Sequence, residues 1–115
     1  MQESSFAHSG TTVIQPHGQI NSANAATLQQ QLAEAISSHE HSALLVDMSK
    51  VESLDSAGLM ALVSTLTLAQ RLNKQFSLFG ISASVRIIFE LTQLDRVFDI
   101  LDDQHGQPVR EIAVA

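Results

Sequence analysis

The sequence predicts an α/β domain with a mixed, mostly parallel sheet of four to five strands and helices packed on it. Three observations lead there. Short apolar runs alternate with helical patterns through most of the chain. The run Ala43–Met48 is apolar on both parities, as a strand buried on both faces must be. The connections are short, which favours right-handed crossovers between parallel neighbours. No repeat, low-complexity tract or linker divides the 115 residues, so residues 1–115 are expected to form one domain.

The elements follow in order. Ser9-Gly10 is a turn signal between strands expected near Glu3–His8 and Thr11–His17, a hairpin. Pro16 cannot donate to a ladder and belongs at a strand end or on an unpaired side. A turn at Gly18-Gln19-Ile20-Asn21-Ser22 leads into a helix. Leu28, Leu32, Ala35 and Ile36 share one face of it, Asn21 or Ser22 caps it, and it ends near Ser37–His41. After the Ala43–Met48 strand, a loop at Ser49–Asp55 opens a second helix. Its buried stripe is Leu59, Leu62, Val63, Leu66, Ala69 and Leu72. Phe76–Gly80 is the next strand. Ser82 caps a third helix that buries Val85, Ile88 and Phe89. Val97–Leu101 is a short last strand. Pro108 suits the first turn of a terminal helix, although Val109–Val114 also fits a strand.

Composition excludes several classes of function. Twelve acidic and six basic residues give a net charge of −6, which argues against a nucleic-acid or anionic-membrane partner. The absence of cysteine removes disulfides, thiolate catalysis and Cys-ligated metal sites. The longest apolar run, Ala57–Val63, is far short of a membrane span, and the N-terminus lacks a secretory pattern. A soluble, cytoplasmic protein is expected.

An enzyme would need an activated nucleophile with its base, and no histidine is close in sequence to Asp55-Ser56. Asp47 ends a strand where a phosphoacceptor aspartate would sit, but Gly18–Ser22 offers no acidic cluster to accompany it. His39, Glu40 and His41 are adjacent residues of a polar loop, a poor metal set. The isolated Gly18, Gly58 and Gly80 form no phosphate loop. Neither catalysis, nor a metal, nor a cofactor is expected.

The informative segment is Val51–Leu59, where a central strand has ended and a helix begins; sites in open α/β sheets collect there. On spacing alone it is a helix start capped by Asp55 or Ser56, with Gly58 allowing close packing. The sharper reading makes Ser56 a phosphorylation site. Free N–H groups and the positive dipole end favour a phosphate, which would add about two negative charges to a partner-facing surface. Met60 lies one turn on, off the buried stripe, and Ser64 and Thr67 follow it.

Leu54-Asp55-Ser56-Ala57-Gly58-Leu59, preceded by Leu44-Leu45-Val46-Asp47 and Val51, resembles the signature of STAS domains. It is most similar to that of bacterial anti-sigma-factor antagonists. The order of elements and the Gly18-Gln19-Ile20-Asn21 turn fit the same family. The resemblance implies partner switching. The unmodified protein would bind an anti-sigma factor with serine kinase activity and a histidine-kinase-like ATP-binding fold. Phosphorylation of Ser56 would release it, and a PP2C-type serine phosphatase would reset it.

The partner-binding surface implied is Asn21, Ser22, Ser53, Asp55, Ser56, Ala57, Gly58 and Met60. Two departures stand out. Ala57 replaces a second hydroxyl often found after the acceptor, leaving Ser56 alone at the helix start, and Asn21 replaces a turn carboxylate. The expected state is a monomer or weak dimer. The alternatives are a phosphorylation-independent scaffold or a switch on a target other than a sigma factor. A transporter's attached domain is not expected unless the sequence is a fragment excised from a longer chain.

Overall fold

The computed structural model describes residues 10–101. Four strands, β1 (Thr11–Ile14), β3 (Ala43–Asp47), β5 (Gln75–Phe79) and β6 (Asp99–Leu101), form a sheet in the order β1-β3-β5-β6. A separate two-stranded ladder joins β2 (His17–Ile20) to β4 (Lys50–Leu54). Every pairing among the described residues is parallel. The helices are α1 (Ala25–Ser37), α2 (Ser56–Arg71) and α3 (Ala83–Leu91), followed by a 3-10 turn at Leu94–Arg96. This is the α/β class read from the sequence. The proposed first strand at Glu3–His8 and the terminal element after Pro108 lie outside the described residues.

One row across the sheet, Ile14, Val46, Leu78 and Ile100, faces the helices. Val46 and Leu78 are wholly buried, together with Leu32 and Ile36 of α1, Leu62 of α2 and Phe89 of α3. Phe98 closes one end of this core, edge-on to Phe76 and Phe89 with ring centroids 6.0 and 5.3 Å away. Ser82 caps α3 as expected, its Oγ accepting from the Val85 N–H at 3.2 Å.

Four sequence expectations need correction. The strand assigned to Thr11–His17 stops at Ile14, since Pro16 has no N–H to continue a ladder, and a new strand, β2, starts at His17 and takes in Gly18, Gln19 and Ile20 of the expected turn. The N-cap position of α1 is Asn24, not Asn21 or Ser22, and its side chain makes no capping bond. Asn21 instead closes the preceding turn: its side-chain oxygen accepts from the Ala23 N–H, and its carbonyl accepts from the N–H groups of Asn24 and Ala25. The expected loop at Ser49–Asp55 is largely the strand β4. There Gly18 pairs with Val51 and Gln19 with Ser53, so Glu52 is an extra residue. That bulge lets Val51 and Leu54, three positions apart, both turn inward, which hides the strand's two-residue period. Finally, Leu72 is 41% exposed because α2 ends before it, while Ala61 and Thr65 join the buried face.

Candidate functional site

The site is assembled where the β2–β4 ladder runs into α2. Asp55 holds it together. Its backbone N–H donates to the Ile20 carbonyl at 3.1 Å, tying the end of β4 to the end of β2. Its side-chain Oδ1 accepts from the Gly58 N–H at 3.1 Å, and its carbonyl takes the first helical bond from Leu59 at 2.9 Å. Of the two candidate caps, Asp55 is therefore the one that caps α2.

Ser56 is the first residue of α2, and its side chain is exposed. The first turn of α2 holds no carboxylate, and the Asp55 cap places a negative charge at this positive helix end. Ala57 is half-buried, and Met60 stands 57% exposed on the next turn. Gly58 is buried, and its role in the structure is close packing. A Cβ there would lie 2.6 Å from Leu54 Cδ1, 2.7 Å from Ile20 Cγ2 and 3.2 Å from the Ile20 carbonyl oxygen.

Because Ile20 touches both Asp55 and Gly58, the Asn21-Ser22 turn adjoins the start of α2. Ser22 is exposed and Asn21 half-buried. This turn is braced from within: Asn24 Oδ1 accepts from the Asn21 N–H at 2.9 Å, and Asn24 Nδ2 donates to the Gln19 carbonyl at 2.8 Å. Ser53 is exposed on β4, in register with Gln19. The structure thus gathers Asn21, Ser22, Ser53, Asp55, Ser56, Ala57 and Met60 on neighbouring segments, with Gly58 beneath them.

Sequence reasoning missed Ile20, the residue on which α2 rests. Its signal was the glycine itself, since a glycine in the first turn of a helix marks a close approach by something apolar. It also missed the fixing of Asp47. Partial burial pushes the Asp47 carboxyl up, but the hydroxyl and N–H of Ser49, the Gln15 amide and the charge of Lys50 outweigh it and hold the group below the usual carboxylate range. Gln15 Nε2 and the Ser49 N–H donate to its two oxygens at 2.9 and 3.0 Å. Among the described residues no three histidine, aspartate or glutamate side chains cluster as a metal site. No described helix is long and apolar enough to cross a membrane.

Residues 6–107 match the STAS domain family. Among solved structures, the fold resembles a Thermotoga maritima protein assigned as an anti-sigma factor antagonist. There the TM-score is 0.76 with 23% identity over 85% of this chain and 83% of that one. An anti-sigma factor antagonist from Mycobacterium paratuberculosis gives a TM-score of 0.72 with 28% identity, over 83% and 80% of the two chains. The phosphorylated form of the Bacillus cell fate determinant SpoIIAA gives 0.67 with 15% identity, over 89% and 90%.

Proposed function

The chain belongs to the STAS domain family, and from that membership we propose that it is an anti-sigma-factor antagonist that works by partner switching. It is a regulatory binding module, and the enzymes of the cycle are its partners. The observation that carries the reading is the exposed hydroxyl of Ser56 at the first position of α2, one turn from the exposed Met60.

Unmodified, this surface offers an apolar side chain and a neutral hydroxyl to an anti-sigma factor with serine kinase activity. That partner transfers the terminal phosphoryl group of ATP to Ser56. A bond forms between Oγ and phosphorus, the bond to the ADP leaving group breaks, and the hydroxyl proton passes to a base on the kinase. The product carries about two further negative charges beside Asp55 in a chain already at −6. The free N–H groups of the helix start tolerate that charge, so α2 stays folded while the docking face becomes repulsive. A PP2C-type serine phosphatase removes the group by hydrolysis and restores binding. Asn21, Ser22, Ser53, Asp55 and Ala57 form the rim of the same surface, and Gly58 sets its height on Ile20.

The test is mass spectrometry of the protein incubated with ATP and a lysate of its own cells. One added phosphoryl group mapped to Ser56, and absent in Ser56→Ala, is the expected result. Ser56→Ala should bind the anti-sigma factor constitutively, and Met60→Lys should weaken binding while leaving stability unchanged. If no phosphate is found under any growth condition, switching at Ser56 is wrong, and a phosphorylation-independent scaffold takes its place. Normal binding by Met60→Lys would reject the docking face.

A further inference from the structure

A second surface lies on α3, and nothing in the proposed switch uses it. The inward side of this helix is spent on Val85 and Phe89, both buried. Its outward side carries Ile87, 53% exposed, and Leu91, 79% exposed, with Val97 at 52% just beyond the 3-10 turn. At 100° per residue, Ala83, Ile87 and Leu91 form one stripe, the i, i+4 row that serves as the ridge in the commonest class of helix packing. Ala83 and Ser84 are exposed and small, leaving a shallow step at one end of the stripe.

The charges beside the stripe say what it fits. Arg86 and Glu90 are four residues apart and so lie on the same flank. Two arginines (Arg86, Arg96) and two carboxylates (Glu90, Asp95) cancel between residues 83 and 97, in a chain whose net charge is −6. A neutral, apolar patch with one positive and one negative group on one flank is complementary to itself when turned end for end.

The geometry points to a second copy of this chain as the occupant, docked α3 against α3 in antiparallel orientation about a two-fold axis level with Ile88. An antiparallel two-fold pair brings the same flank of both helices together, so Arg86 comes level with the second copy's Glu90, and Glu90 with its Arg86. At 1.5 Å of rise per residue, the same axis drops Leu91 between the second copy's Ile87 and Ala83, a large side chain over a small one. Register of charge and register of packing therefore agree on one axis, as an isologous contact requires. A nine-residue helix is about 13 Å long, so the contact is small and the dimer weak, with Kd on the order of 100 μM. The inference stands apart from the Ser56 reading and survives its failure.

Sedimentation equilibrium on the whole chain, from about 10 μM to about 1 mM to bracket a contact of this size, tests it. A reversible monomer–dimer equilibrium is expected, and Leu91→Glu should remain monomeric with an unchanged circular dichroism spectrum, since Leu91 is mostly in solvent. Arg86→Glu and Glu90→Arg should each raise Kd about tenfold by opposing like charges at both symmetric contacts. The double variant Arg86→Glu/Glu90→Arg should return to the wild-type value. A wild-type chain that is monomeric throughout overturns the inference. So does a dimer indifferent to Leu91→Glu, or a double variant no tighter than the singles.

Discussion

Replacing Gly58 with alanine sets two effects of opposite sign against each other. Within an exposed helix the change stabilises by about 1 kcal/mol, because alanine loses less backbone freedom on folding. Here the new methyl would meet Leu54 Cδ1 at 2.6 Å and Ile20 Cγ2 at 2.7 Å, both on side chains at most 5% exposed. Those side chains cannot swing into solvent, and the Ile20 carbonyl oxygen at 3.2 Å blocks retreat the other way. Inserting a methyl into a filled site of this kind costs about 1–3 kcal/mol. The sum favours a net loss of about 1 kcal/mol, or a fall in Tm of about 4 °C for a domain of this size. Urea denaturation followed by circular dichroism, compared at equal m value, measures it. A Gly58→Ala protein more stable than wild type would refute the claim that α2 rests on Ile20 through this glycine.

Two further predictions concern charge and capping. Asp55→Ala removes the cap of α2 and should cost about 1 kcal/mol, whereas Ser56→Ala should stay within about 0.5 kcal/mol because the Ser56 side chain is exposed and does not cap. Equal losses in urea melts of the two variants would contradict that assignment. Asp47 has a carboxyl pKa lowered on folding, so its contribution to stability is complete above the ordinary carboxylate value and is lost as pH falls through the lower folded value. The Tm advantage of wild type over Asp47→Asn should therefore hold near neutrality and shrink below about pH 4. An advantage that grows on acidification would mean the sign is wrong.

The long elements were legible because one physical rule governs each. The strand Ala43–Asp47 was found from its apolar run, although only Leu44 and Val46 are fully buried and its other face is half-buried, and α3 carries its own cap in Ser82. The start of α2 was legible from the Asp55-Ser56-Ala57-Gly58 run, since a capping residue and a packing glycine announce a helix start. What stayed hidden depends on neighbours distant in sequence. β4 could not be read from its own pattern, because the bulge at Glu52 is created by pairing with β2. α1 begins after Asn24 without a side-chain cap, because the side chains of Asn21 and Asn24 are both consumed by the turn, an arrangement that only tertiary placement makes. Ile20 as the seat of α2 is likewise a contact between segments more than thirty residues apart in the chain.

Asp55 bonds β2 through its N–H and α2 through its carboxylate, and so it pins the residue that follows it to three elements at once. Ser56 is thus presented by rigid secondary structure and not by a pliable loop. Under the proposed switch, a kinase acting on Ser56 gains nothing from threading an extended strand through its cleft. It must fit the folded relief of the β2 turn, the β4 end and α2 together, so recognition belongs to the shape of the domain and not to the local string of residues. In that scheme a chain that has lost its fold would forfeit this recognition along with its binding, and only intact copies would switch partners.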